Sequence, residues 1–269
     1  ANLGASVTRR PEAYHEKVRG GAGGEHGGAQ SIHDRIVFKQ PDLDKRLHYD
    51  RHQRKSLIDH FWAPETTPDA IEAASDRELG DFVDAAYRTQ WQRNGDESTV
   101  TLSRLGNVDG AQVQLAKSIT LAVGSESLRI GYRLEGLPTA RDVRFAIEFN
   151  IATLAAGADD RYYLAGAKPE RRKLGRLDSL QDLASIARLS LVDEWLGIDV
   201  GIASSRPAGI WAFPIQSVSQ SEGGFELVHQ SACVLFHWLL PAGTGAFAVE
   251  LELACDTSMA EARKLVPAG

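Results

Sequence analysis

The sequence predicts an all-β protein, a large antiparallel sandwich of two packed sheets, and three observations carry that prediction. Apolar residues recur at every second position in several runs, turn-forming clusters separate those runs at short intervals, and helical periodicity is scarce. Alternation marks a strand with one face in a core, and it favours antiparallel pairing because parallel strands usually read as continuous apolar runs. A chain of 269 residues is long enough to close such a sandwich as a single domain over 1–269.

The elements follow in order. Val113, Leu115, Ile119, Leu121 and Val123 share one face of a run in which Lys117 is the polar exception. Leu128, Ile130, Tyr132 and Leu134 form a second run; Val143, Phe145, Ile147, Phe149 and Ile151 a third; Phe247, Val249, Leu251 and Leu253 a fourth. "SACVLFHWLLP" at 231–241 is apolar at nearly every position and reads as a central strand covered on both faces. Turns are expected at 93–98, 107–110, 123–127, 135–138 and 221–224. Helix signals are confined to a turn or two at 178–188 and a short piece at 257–264. The first 80 residues differ: a Gly-rich loop at 20–28 and a Pro- and acid-rich excursion at 63–79 precede strands expected to resume near Asp81.

Composition narrows the function classes. A net charge of −6 leaves no basic excess to neutralise phosphates, so nucleic acid is not an expected partner. No apolar run reaches the roughly 18 residues needed to span a membrane. Cys233 and Cys255 each sit among apolar residues and read as free thiols, and the expected location is the cytoplasm. The opening residues lack a signal-peptide core and an initiator Met, so the chain reads as a piece of something longer.

The candidate chemistry lies in two places. Six of the eight histidines fall within the first 60 residues, and "YDRHQRKSLIDHFW" (49–62) packs His52, His60, Asp50 and Asp59 beside a Trp. His48 and His52 are four apart, but without a helix that spacing does not bring them together, and no zinc-binding motif is present; no metal and no cofactor is expected. Arg144, Glu148 and Asn150 occupy one row of a predicted strand, where a guanidinium, a carboxylate and an amide could hold sugar hydroxyls. With His33 or His60 opposite, Glu148 could also serve in acid–base work. The commoner arrangement for such a row is a solvated face with a salt-bridged carboxylate. Lys117 is expected at a bulge or rim with its stem packed and its ammonium out. Of five tryptophans, Trp211 and Trp238 are expected in the core; Trp62, at a strand end, is the best placed for an exposed stacking platform, although core packing is the commoner arrangement there too.

The segment "TRRPEAYHEKVR" (8–19) and the stretch 31–62 resemble the C-terminal domain of glycoside hydrolase family 57 enzymes of the 4-α-glucanotransferase and α-amylase type. The matching positions are Arg9 to His15, Ser31 to Asp34, Tyr49-Asp50-Arg51 and Asp59-His60-Phe61, with weaker likeness at 145–154, 191–200 and 246–254. The resemblance implies a galactose-mutarotase-like supersandwich. It also implies that the catalytic carboxylates of a retaining mechanism reside in a separate N-terminal (β/α) barrel, so that no catalytic residue is expected here. On this reading the domain packs on that barrel and borders its glucan cleft, with His33, Asp34, Asp59, His60 and Trp62 on the docking and cleft-edge surface. Partners would be the barrel and a maltooligosaccharide; a homodimer is also compatible. Two alternatives stand beside it: a sugar mutarotase with Glu148 or Glu250 as base and His229 or His237 as acid, and a stand-alone carbohydrate-binding module with exposed aromatics in a row.

Overall fold

A computed structural model describes residues 8–21, 37–153, 155–167 and 169–264. Most of the Gly-rich stretch, and with it His33 and Asp34, lies outside the described residues. The elements run α1 (His15–Gly21), a short 3-10 turn (Leu43–Arg46), β1 (Ile58–Trp62), α2 (Pro68–Glu72), β2 (Arg88–Asn94), β3 (Glu97–Val108), β4 (Ala111–Ala122), β5 (Ser127–Glu135) and β6 (Val143–Ile151). β7 (Arg161–Ala165), β8 (Arg172–Arg176), β9 (Gln181–Asp193), β10 (Ile198–Ser221), β11 (Gly224–Leu240), β12 (Ala246–Asp256) and α3 (Ser258–Lys264) complete the chain.

The strands form one antiparallel hydrogen-bonded network in the order β1-β6-β11-β10-β12-β5-β4-β3-β2, with β9 also on β10 and β7 and β8 beyond it. The network becomes a sandwich through β10. Its first half, Asp199–Ser204, pairs with β12, and its second half, from Gly209, pairs with β11. The exchange falls at Ser204–Ala208, around Pro207, which has no N–H to give to a ladder. The two layers so made face each other: Phe145 of β6 meets Tyr132 of β5 at 5.8 Å and Phe247 of β12 at 6.1 Å between ring centroids, although neither strand is its neighbour in the sheet. Phe61, Leu115, Ile130, Leu134, Phe149 and Phe236 fill the interior between the layers, each almost wholly buried.

The alternation read from sequence is the pleat of β4, β5, β6 and β12, and the turn at 107–110 is a two-residue hairpin with Asp109 (φ 48°) and Gly110 (φ 88°) both left-handed. That pair of positive φ angles matches the right-handed strand twist and explains the Asp-Gly sequence. Three expectations need correction. Residues 181–188 are strand, not helix: Leu183 faces Ile210 and Ile186 faces Ala208, so β9 spends three residues where β10 spends two. The extra residue is a β-bulge at Ser185 (φ 55°), and it puts Leu183 and Ile186 on one face at a spacing that imitates a helix. After Asp81 the next strand starts only at Arg88. Lys117 is not at a rim; it is 5% exposed, with its ammonium inside the sandwich.

A second, smaller apolar cluster covers the outer side of the β1-β6-β11-β10 layer, where Trp62, Ile71 of α2, Trp211, Phe213 and Leu235 pack together. α1 and the 3-10 turn close the far end through Val18, Leu43, Val218 and Phe225. No helix among the described residues is long and apolar enough to cross a membrane.

Candidate functional site

Successive residues of a strand point to opposite faces, and in β1 this separates the two most suggestive side chains of the sequence. Asp59 and Phe61 point into the sandwich; His60 and Trp62 point to the outer face. β6 runs beside β1 with Glu148 opposite Ile58 and Ala146 opposite His60, so Arg144, Glu148 and Asn150 join His60 and Trp62 on that outer face. The segment preceding β1 then folds over it: Asn150 Nδ2 donates to the Lys55 carbonyl (2.8 Å), and the Leu57 N–H donates to the Glu148 carbonyl (2.7 Å).

The row expected to be a solvated face is thereby buried. Glu148 has no exposed surface and Asn150 is 1% exposed. A buried carboxylate requires partners, and Glu148 has four. Arg54 Nη1 donates to its Oε1 (3.1 Å), Asn150 Nδ2 reaches the same oxygen, and Nε2 of His60 (2.8 Å) and of His52 (3.2 Å) meet Oε2. Burial alone would raise the Glu148 pKa, but Arg54 and the two histidines hold it well below the ordinary carboxylate range. Arg54 also pairs with Asp50 (2.7 Å), and Asp50 accepts from the Arg9 guanidinium and from its backbone N–H, both at 2.7 Å. Burial opposes the charge of Asp50 as well, yet the two arginines bring its pKa down.

His60 bridges two acids, with Nδ1 at 2.8 Å from Glu78 and Nε2 at 2.8 Å from Glu148. Desolvation pulls its pKa down, but these two hydrogen-bonded carboxylates more than offset it and push it up to about 10. Glu78 is itself held by the N–H groups of Phe61 (2.6 Å) and Gly80 (3.2 Å). Trp62 stacks on the His60 ring at 4.5 Å and donates to Asp76 (2.9 Å). It is completely buried, so it offers no stacking face to a ligand. A cleft of about 180 Å³ opens beside the cluster, bordered by Arg51, His52, His60, Trp62, Asp76 and Glu78.

On the inner side, Asp59 meets Lys117 from the opposite layer at 2.7 Å. The ammonium also donates to the Leu57 carbonyl (2.6 Å) and lies 4.6 Å from the Tyr87 ring centroid, while the Tyr87 hydroxyl donates to Asp59. Burial and the Asp59 charge together raise the pKa of the neighbouring Tyr132 hydroxyl well above its usual value.

Of the sequence-predicted residues, then, the structure gathers His60, Trp62, Glu148 and Asn150, sends Asp59 to the other side of the strand, and sets Arg144 further along the outer face. There Arg144 Nη1 donates to His237 Nδ1 (2.9 Å) and packs over Trp211. Burial and the Arg144 charge depress the His237 pKa to about 3. The histidines named for a mutarotase do not meet the named carboxylates: His237 pairs with Arg144, His229 with the Thr153 hydroxyl (2.8 Å), and Glu250 lies on the outer face of the other layer opposite Gly131. The large exposed aromatics, Trp91 on the edge strand β2 and Trp195 in the β9–β10 turn, sit on separate elements and form no row. Arg54 and Glu78 were not foreseen as site residues. Arg54 is one of several basic residues in 51–55, and Glu78 sits in an acid-rich excursion whose return onto β1 no local pattern announces.

Comparison with known proteins gives the family of the chain. The family model described as alpha-amylase/4-alpha-glucanotransferase, C-terminal, matches residues 1–253. The chain is 31% identical over 238 residues to a 4-alpha-glucanotransferase of Thermococcus kodakarensis, covering 87% of this chain and 32% of that protein. It is 29% identical over 252 residues to alpha-amylase 1 of Dictyoglomus thermophilum, covering 90% of this chain and 34% of the relative. The crystal structure of a 4-alpha-glucanotransferase from Thermococcus litoralis superposes with a TM-score of 0.66 over 93% of this chain and 32% of that one, at 22% identity, a likeness of fold. The chain thus spans about a third of the length of the curated relatives it matches.

Proposed function

The chain belongs to the alpha-amylase/4-alpha-glucanotransferase C-terminal family, and on that premise we propose that it is the accessory sandwich of an α-glucan-processing enzyme, with the reaction carried by a separate catalytic domain. One observation carries the reading beyond the family. The carboxylates of the predicted face are spent inside the fold: Glu148 is fully buried among two histidines and an arginine, and Asp59 is locked to Lys117. Glycoside transfer needs two carboxyl groups about 5–9 Å apart on either side of a sugar ring, both in reach of substrate. Neither of these is.

A docking surface is better supplied elsewhere. β2 is an edge strand exposed along its whole length, and Trp91 at its centre is 66% exposed. An edge with no strand partner among the described residues and a large aromatic side chain is a surface that a catalytic domain of the same enzyme would cover. The glucan would then be met where that domain and the sandwich adjoin. The test is to incubate the purified, folded chain with maltoheptaose, follow products by chromatography and follow binding by calorimetry. The expected result is no hydrolysis and no transfer. Turnover by this chain, abolished in Glu148→Gln, would overturn the assignment.

A further inference from the structure

The cluster at the mouth of the small cleft has a second property that its ion pairs do not require. His52, His60 and Glu148 each bring one ligand atom to a common point, all within 4.8 Å of one another. The two imidazole nitrogens stand 3.2 and 2.8 Å from the same oxygen, Oε2. Around a tetrahedral zinc ion, with bonds of about 2.0–2.1 Å, neighbouring ligand atoms sit about 3.3 Å apart. Each imidazole nitrogen is therefore already close to ligand spacing from that oxygen, and an opening of about half an ångström at His60 and Glu148 would seat an ion.

Three further features fit a metal. His60 Nδ1 is held at 2.8 Å by Glu78, and that carboxylate is fixed by two backbone N–H groups. A carboxylate on the far nitrogen is how proteins set the tautomer of a metal-bound histidine and direct its Nε2 at the ion. Arg54 occupies the other oxygen of Glu148, so it steers Oε2 toward the histidines without standing between them. The cleft of about 180 Å³ lies on the open side and leaves room for a water as fourth ligand.

We propose that His52, His60 and Glu148 bind one divalent transition-metal ion of the zinc type, with Glu78 as the residue that orients His60. Two imidazoles and a single carboxylate select such an ion over calcium or magnesium, which take oxygen ligands in larger number. Binding releases to solvent the proton that His60 otherwise shares with Glu148. The ion would join the segment before β1, β1 and β6 at one point, which makes its first role the fastening of residues 50–56 over the sheet. The proposal does not rest on the glucan reading.

The experiment is to strip the full chain with chelator and titrate zinc by calorimetry and cobalt by visible absorption. One equivalent should bind, cobalt should give the intense visible bands of a tetrahedral site, and the thermal midpoint should rise with added metal. His52 is only partly buried, and His52→Ala, expected to fold, should lower zinc affinity at least about 100-fold. Glu78→Gln should lower it by about 10- to 100-fold while keeping the cobalt bands, the mark of a positioning residue. A folded wild-type chain that takes up no stoichiometric zinc, or zinc bound equally tightly by His52→Ala, would overturn the proposal.

Discussion

Asp59 and His60 are neighbours in sequence, both are charged or chargeable, and both are almost fully buried, yet they belong to different environments. Asp59 lies between the two layers, where Lys117 and the Tyr87 hydroxyl close around it. His60 lies on the outer side, in a chain of charges that runs from Arg9 through Asp50, Arg54 and Glu148 to Glu78 and ends at a cleft. The first arrangement is a single cross-layer tie. The second is a network assembled from the N-terminal segment, β1, the excursion after β1, and β6. A pair can be replaced as a unit, whereas a network loses several partners when one member is removed.

That contrast orders the expected effects. Arg54→Met should be the most damaging change, because it removes a charged partner from two buried carboxylates, Asp50 and Glu148, at once; a loss of about 3–5 kcal/mol in urea unfolding is expected. Lys117→Met should cost about 3 kcal/mol by stranding Asp59. Adding Asp59→Leu to Lys117→Met should recover most of that loss, and a double mutant no more stable than the worse single would show that the inner tie is also part of a network. Two histidines of the outer side should differ in pH response as well. His237, on the outer face beyond the network, has its pKa depressed to about 3. It is buried neutral, so its contribution is present above the ordinary histidine pKa near 6.5 and is lost as pH falls from there toward 3. Urea midpoints across that range should show a slope that His237→Gln reduces. His60 has the opposite sign: its pKa of about 10 makes the metal-free chain lose stability as pH rises from about 6.5 through 10. Trp91→Ala, on the exposed edge of β2, should change the stability of this chain by no more than about 0.5 kcal/mol.

The same comparison shows what could be read from sequence. Strand existence, pleat and the hairpin at 107–110 were legible because alternation and Asp-Gly chemistry are local. The common face of Arg144, Glu148 and Asn150 was legible for the same reason. Its burial was not, because the cover is a segment some 95 residues earlier in the chain, and nothing in 143–151 announces it. Placing Asp59 and His60 together on one surface was an error that strand geometry corrects: a period of two puts them on opposite faces. The bulge at Ser185 misled for a related reason, since one extra residue converts a spacing of two into a spacing of three. The dense polar motifs at 9–15 and 49–62 were conspicuous, and the structure gives part of their content: Arg9 grips Asp50, Tyr49 meets His15 at 3.1 Å, and His15 reaches the Val218 carbonyl at 3.2 Å. They hold the N-terminal segment to the sheet.

The polar face of β6 is buried and partnered within the fold, so it reads as internal architecture and not as a substrate-facing surface. Urea unfolding of Glu148→Gln beside the wild-type chain probes this, since the amide keeps the shape but removes the charge that His60 and Arg54 are paired with. A loss of at least about 2 kcal/mol is expected. Unchanged stability would contradict it, and would mean that this carboxylate is held in place for something other than the fold.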